Sequence, residues 1–549
     1  MSETNTVQSF NLVDDPWVSC QMMDGTISLL SLRQVFEDRA SIRQLSGDSP
    51  QQDYAVMRVL LAIFWRTHQR LDEEIDYPDD WWADLFEQVD EEEFVGPILD
   101  YLDEWKERFE LFDATAPFMQ AGTLETSKGV RSGVRRLIPE AELDYFTLRA
   151  GSGRETLTFA EAARWLIAIH AWDYSGIKPG AWGDPRVKGG KGYPIGTGWS
   201  GNTGGIVIHG DNLGQTLLLN TDPSEIFPSR EEALQDAPAW EREAQTSVPR
   251  DTDYPAGPCD VLTWQTRRVR LFTDEGLVTG VLVTNGDKIE IRNQFADPMT
   301  AYRYSKNQSK KGAPVLFAKT HAEERTLWRG IDALLIRELA DATPAQRETS
   351  DRRAATIERL ATLKSDRLIS RDQTIRVELV GFVYGPQSSI ITESIHEVIP
   401  FKLTTFLEDY SSQANAIVSG AQQAVAAAIN LGQFAGFLKE AAGDTYEFVP
   451  GATERVLHDL QADFKRWLIS FTPETDAIKA RNAWYDLVES RIKEHATVLT
   501  RSAGQKALIG RVEESESATG SPRVFSTATA LDRLHRSLKK TLERTGETR

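Results

Sequence analysis

After Pro400 the sequence repeats apolar side chains at helical spacing through four successive segments, and no other feature constrains the fold as strongly. Within residues 406–442, Ala421, Ala424, Val425, Ala428 and Ile429 form one stripe, and its small residues, with Gly432 and Gly436, allow a neighbouring helix to approach closely. Val456, Leu457, Leu460, Phe464, Trp467, Leu468 and Phe471 form a second stripe, closed by Pro473. Thr472 as cap with Pro473 at the first helical position starts a third segment that turns Ile478, Trp484, Leu487, Val488 and Ile492 inward. Beyond the polar linker 513–522, Leu531, Leu534, Leu538 and Leu542 mark a fourth. Four amphipathic helices with short connections predict a four-helix bundle over residues 396–549.

The preceding residues mix two periods. Strand-like runs at 10–13, 27–30, 205–209, 216–219, 261–264 and 277–283 interleave with helical patterns at 54–69, 94–112, 159–172, 325–339 and 356–363. Asn285-Gly286 predicts a turn closing a hairpin into residues 288–291. Between residues 173 and 214 glycine becomes dense and periodicity disappears, as in a long loop region. At 549 residues the chain exceeds what one core usually organises. The expected class is therefore α+β: a large mixed α/β N-terminal domain, residues 1–395, followed by the bundle.

Charge and cysteine content narrow the functional classes. A net charge of −20 argues against a free-standing nucleic-acid binder, so any DNA contact must be local. The basic islands are Arg131, Arg135 and Arg136; Lys188 and Lys191; Arg267, Arg268 and Arg270; and Arg303, Lys306, Lys310 and Lys311. Cys20 and Cys259 permit one disulfide at most and no thiolate-built metal cage, which fits a reducing compartment. The polar first residues and the lack of an 18-residue apolar run point to a cytoplasmic chain without a membrane span.

Two motifs invite an enzymatic reading. Gly196-Thr197-Gly198-Trp199-Ser200-Gly201 has GxGxxG spacing, and the Gly-rich region 183–205 would then serve a nucleotide- or cofactor-dependent enzyme. That fingerprint must follow a strand and open a helix, whereas residues 188–193 precede it and a strand-like run follows. His396-Glu397 lacks the second histidine of HExxH, and no GxSxG elbow or GxxxxGK[ST] loop occurs. The residues themselves yield no catalytic or metal site, and no cofactor is expected.

A series of stretches in fixed order resembles the CasA family, the large subunits of the type I-E CRISPR surveillance complex Cascade. They are Phe10-Asn11-Leu12-Val13-Asp14-Asp15-Pro16-Trp17, Arg58-Val59-Leu60-Leu61-Ala62, Pro117-Phe118-Met119-Gln120, Tyr145-Phe146-Thr147, the 157–164 segment, and Gly210 followed by Leu217-Leu218-Leu219-Asn220. The resemblance implies a non-catalytic subunit that meets other Cascade proteins and the CRISPR RNA. It further implies inspection of the protospacer-adjacent motif of target double-stranded DNA, help in opening the duplex, and docking of a helicase-nuclease. Sequence readout then belongs to the guide, and a few local DNA contacts suffice. By the same resemblance Gly189, Gly190, Lys191 and Gly192 stand for the family's glycine loop in the minor groove, with Lys191 interrupting the glycines. Lys288 stands for the lysine finger, Gln387 in Gly385-Pro386-Gln387-Ser388-Ser389 for the glutamine wedge, and Phe146 for the guide-RNA contact.

Overall fold

The first strand forms only after the Asp14-Asp15-Pro16 turn: β1 (Val18–Met22) lies between β2 (Ile27–Leu30) and β3 (Ile42–Leu45) in an antiparallel sheet. The strand expected at 10–13 is instead a turn. Asn11 Oδ1 accepts from Val13 N at 3.0 Å and Asp15 Oδ2 from Asn11 N at 2.7 Å, local side-chain bonds that compete with a ladder. The computed structural model describes residues 9–71, 75–139, 151–320, 331, 334, 350–362, 374–513 and 522–544. They divide into two compact units, the first holding most of the chain up to Val398 and the second holding residues 399–549 with short pieces from upstream.

The core of the first unit is the helix Pro50–Gln69, capped by Ser49 with Pro50 at its first position and buried on every side. It packs against Phe159–Trp172, which opens with a Thr158/Glu161 capping box. The residues after Trp172 carry β4 (Lys178–Pro179) and β5 (Lys191–Gly192), an antiparallel ladder. Then comes β6 (Gly205–His209), wholly buried. A long hairpin of β7 (Arg267–Asp274) and β8 (Leu277–Asn285) follows, then the short pair β9 (Tyr302–Tyr304) and β10 (Leu316–Ala318). The antiparallel strands β11 (Thr374–Tyr384) and β12 (Ile391–Lys402) join β6 in the order β12-β11-β6.

Two further strand expectations and one hairpin expectation fail for local reasons. Residues 216–219 belong to the helix Leu213–Leu219, because Asn212 accepts from Gln215 N at 2.9 Å and caps it. Residues 261–264 begin inside the helix Pro258–Leu262, where Pro258 takes the first position. The hairpin of β8 closes backwards through Glu275-Gly276 onto β7 rather than forwards through Asn285-Gly286. Gly286 N donates to Thr266 O at 2.8 Å and a Cβ there would fall 2.4 Å from Gln265 O, so this glycine serves close packing. The helix expected at 325–339 lies almost wholly outside the described residues, and the one at 356–363 is Ala355–Thr362. Cys20 and Cys259 are both free and buried, and burial pushes the Cys20 thiol up to about 12.

In the second unit Ser411–Ala442 packs against Pro450–Ile469, Ala477–Ser502 and Thr527–Thr541. Gly420 lets Trp467 and Trp484 stack at 5.1 Å against this helix, and Trp484 Nε1 donates to Gly420 O at 3.0 Å. Of the expected stripe, Ala421, Ala424 and Ala428 are buried, Val425 is half-buried and Ile429 is exposed, and the buried face continues through Leu431, Phe434 and Leu438. The third helix is capped by Asp476, whose carboxylate accepts from Ile478 N and Lys479 N, not by Thr472. Ile478, in its first turn, is consequently exposed. The linker is flanked by a small ladder of β13 (Arg511–Glu513) and β14 (Arg523–Phe525). The protein is thus a mixed α+β chain of helices and several small sheets.

Candidate nucleic-acid interface

Gly189 and Gly190 form a tight turn rather than a flexible connection. Their φ angles are +60° and +73°, and Lys188 N donates to Lys191 O at 3.1 Å while Lys191 N donates to Lys188 O at 3.2 Å. Two successive left-handed residues make a hairpin whose twist matches the flanking strands, and glycine takes that conformation without strain. A Cβ on either glycine would meet nothing within 4 Å, so the tip faces open space. Lys188 and Lys191 are exposed and make no ion pair among the described residues. Gly192 differs from the other glycines of the motif: it is buried, and a Cβ there would lie 2.9 Å from Asn285 Nδ2.

One carboxylate anchors this region. Asp173, at the end of the Phe159–Trp172 helix, takes Arg136 Nη2 at 2.7 Å and Lys178 Nζ at 3.0 Å and also pairs with Arg267 Nε. Arg267 Nη2 continues to Tyr174 O at 2.9 Å and Gly196 O at 2.8 Å. Burial alone would raise the Asp173 carboxyl, but Arg136, Arg267 and Lys178 hold it well below the usual range. Burial pushes the Lys178 ammonium down to about 7 against the attraction of Asp173. The sequence carries no local signal for this cluster, because its members come from residues 136, 173, 178 and 267.

Gln387 sits at the tip of the hairpin joining β11 and β12, exposed, with φ +58° and ψ +22°; Ser388 follows at φ +51°. Ser389 N donates to Pro386 O at 3.3 Å and Gly385 N to Ile390 O at 3.0 Å, closing the turn. Side chains in the left-handed region cost on the order of 1–2 kcal/mol per residue. The tip is tied to the glycine region, since Ser175 N donates to Ser388 O at 2.7 Å and Tyr384 Oη donates to Trp172 O at 2.5 Å. Further along the same sheet, His209 Nε2 and His396 Nε2 lie 2.6 and 2.8 Å from the two Glu378 carboxylate oxygens. Burial works against ionisation of Glu378, yet the two histidines hold its pKa at about 2.

Lys288 is not on a hairpin. It follows the close-packed Gly286 and pairs with Asp253 at 2.8 Å, with 51% of its side chain exposed. Phe146 lies outside the described residues. The basic islands separate by burial: Arg267 and Arg268 are internal, Arg268 pairing with Asp287 at 2.8 Å, and Arg131 lies over the Phe272 ring. Of the GxGxxG glycines, Gly196 sits at φ +107° with open space where a Cβ would be, whereas Gly198 and Gly201 are explained by packing. A Cβ on Gly198 would fall 2.3 Å from Ala171 O, one on Gly201 would fall 2.5 Å from Tyr384 Oη, and the helix that follows spans only Trp199–Thr203. Protein atoms thus crowd the second and third glycines, where the backbone would have to approach a pyrophosphate and the helix to open. Among the described residues no group of three His, Cys, Asp or Glu side chains is arranged to hold a metal ion, and no helix is long and apolar enough to cross a membrane.

Residues 11–494 match the model of the family described as CRISPR-associated protein Cse1. The chain belongs to the Cse1 family. A CasA/Cse1 protein of Thermus thermophilus is 29% identical over 349 residues, an alignment spanning 61% of this chain and 61% of that relative. The crystal structure of Thermobifida fusca Cse1 is similar at 34% identity with a TM-score of 0.82, covering 98% of this chain and 99% of that one. A chain of a CRISPR RNA-guided surveillance complex shares the fold at a TM-score of 0.65 and 19% identity, over 89% of this chain and 99% of its own length. The Cse1 pattern is thus carried by almost the whole chain, both units included.

Proposed function

We propose that this Cse1-family chain is the non-catalytic large subunit of a cytoplasmic CRISPR RNA-guided surveillance complex. It recognises the protospacer-adjacent motif of target double-stranded DNA and starts the opening of the duplex. Its partners are the other Cascade proteins, the CRISPR RNA, the target DNA and a helicase-nuclease recruited after opening. We read residues 1–395 as the DNA- and guide-contacting domain, with Phe146 as the guide contact and Lys288 as a finger toward the groove. Residues 396–549 are the four-helix bundle.

The observation that carries this reading is the pairing of two left-handed hairpin tips, the exposed Gly189-Gly190 and Gln387-Ser388 with Gln387 exposed, tied through the Ser175 to Ser388 bond. A tip without side chains can lie close to a groove floor, with Lys188 and Lys191 beside it for phosphates. A tip that keeps an amide side chain on a stiff turn can enter a base step, where unstacking costs a few kcal/mol. The net charge of −20 is compatible with this division, because the guide reads the sequence and only a few protein contacts are required.

The test is target binding by the assembled complex with and without this chain, on duplexes that carry or lack the motif. Motif-dependent binding should appear only when the chain is present; equal binding in its absence would refute the reading.

A further inference from the structure

The outer face of the β4–β5 ladder is built like a stacking site, and of this face the motif-reading role above uses only Lys191. Lys178 pairs with Gly192 and Pro179 with Lys191 in register. Opposed residues of a ladder share a face and successive residues alternate. Lys178 and Gly192 both point inward, the first to Asp173 and the second against Asn285. The other face therefore carries Lys191 and, one step along the register, Ile177 opposite Tyr193. Their exposures agree: Ile177 is 59% exposed, Tyr193 is 53% exposed and Lys191 is exposed. Tyr193 makes no ring contact with another aromatic or cation among the described residues, while its carbonyl is fixed by Asn285 Nδ2 at 2.6 Å.

We infer that Tyr193, backed by Ile177, stacks on an unpaired base of the opening target DNA while Lys191 takes the adjoining phosphate. Alternate strand residues are ~6.6 Å apart, so one nucleotide can set its base on the ring and its phosphate on the ammonium. A base in an intact stack presents no free face, and the occupant is accordingly single-stranded DNA next to the motif. Charge complementarity favours it, since Lys188 and Lys191 lack acidic partners among the described residues, and the nearby Asp184 is already paired with Arg186 at 2.9 Å. The Ser175 to Ser388 bond ties the segment just ahead of Ile177 to the hairpin that carries Gln387, the element that would free such a base.

This inference rests on the proposed function, and the experiment separates the two. It uses the assembled complex and a motif-bearing duplex with 2-aminopurine at the first protospacer position of the displaced strand. Tyr193→Ala should weaken binding by ~5-fold or more and brighten the 2-aminopurine, because the stacked ring that quenches it is gone. Tyr193→Phe should restore both. If wild-type binding is motif-dependent but Tyr193→Ala changes neither affinity nor fluorescence, the stacking inference fails alone; an affinity loss that Tyr193→Phe does not repair also overturns it. If wild-type binding ignores the motif, the functional reading fails and the inference with it. A p-benzoylphenylalanine placed at Tyr193 should crosslink to target DNA; crosslinking to the guide RNA instead would likewise overturn the assignment.

Discussion

The Gly189-Gly190 tip and the Gln387-Ser388 tip solve the same backbone problem with opposite chemistry. Both turn on two successive left-handed residues, with φ of +60° and +73° in one and +58° and +51° in the other. The first uses the residue that adopts this conformation freely, whereas the second keeps side chains where they cost energy. Strain retained at an exposed position, where no packing demands the side chain, points to use of that side chain. On the proposed function, the glycine tip is suited to close approach and the Gln387 tip to insertion.

The largest effect should come from the anchor of the glycine side. Asp173→Asn leaves Arg136, Arg267 and Lys178 without their buried counter-charge and should destabilise the protein by about 3 kcal/mol or more in denaturant unfolding. A loss below about 1 kcal/mol would remove Asp173 as the anchor.

The sheet that carries the Gln387 hairpin is held differently, by Glu378 between two histidines. Its folded pKa of about 2 is below the ordinary value of 4.5, so its contribution is fully present above pH 4.5 and is lost as the pH falls toward 2. The wild type should lose on the order of 2 kcal/mol more than Glu378→Gln across that window, as read from the stability difference at each pH. Glu378 also raises the His396 pKa, a contribution present below pH 6.5 and lost as the pH rises through the raised value. Parallel pH curves for the two proteins would show that the cluster does not brace the sheet.

The smallest effect is at the glycine tip itself. Gly190→Ala meets no atom within 4 Å, so its only penalty is the left-handed backbone, about 1 kcal/mol in unfolding measurements. A variant as stable as wild type would deny that the turn needs glycine.

Much of this layout was legible in the sequence because it depends on local signals. The Phe159–Trp172 helix follows from its apolar period, and the second unit's helices from their apolar stripes. Local signals also misled. Leu217, Leu218 and Leu219 are apolar enough for a strand, and only the Asn212 cap decides for a helix. Asn285-Gly286 has hairpin composition, yet Gly286 is there because the backbone of Gln265 and Arg267 leaves no room for a side chain. Within the candidate site, Gly189, Gly190, Lys191 and Gln387 lie on exposed turns, but Gly192 faces inward and Lys288 is engaged by Asp253. The Asp173 cluster and the Tyr193 face were hidden because they arise from a long-range ion network and a two-residue ladder, which leave no periodic trace.

The central claim, that Gln387 is kept for its side chain at a conformational cost, is tested most directly by Gln387→Gly. Glycine relieves the strain at φ +58°, so the variant should be as stable as wild type or up to about 1 kcal/mol more stable. In the assembled complex it should nevertheless associate slowly with an intact motif-bearing duplex and at the wild-type rate with a duplex whose first protospacer pairs are already mismatched. Wild-type rates on both substrates, or an equal loss on both, would contradict the claim.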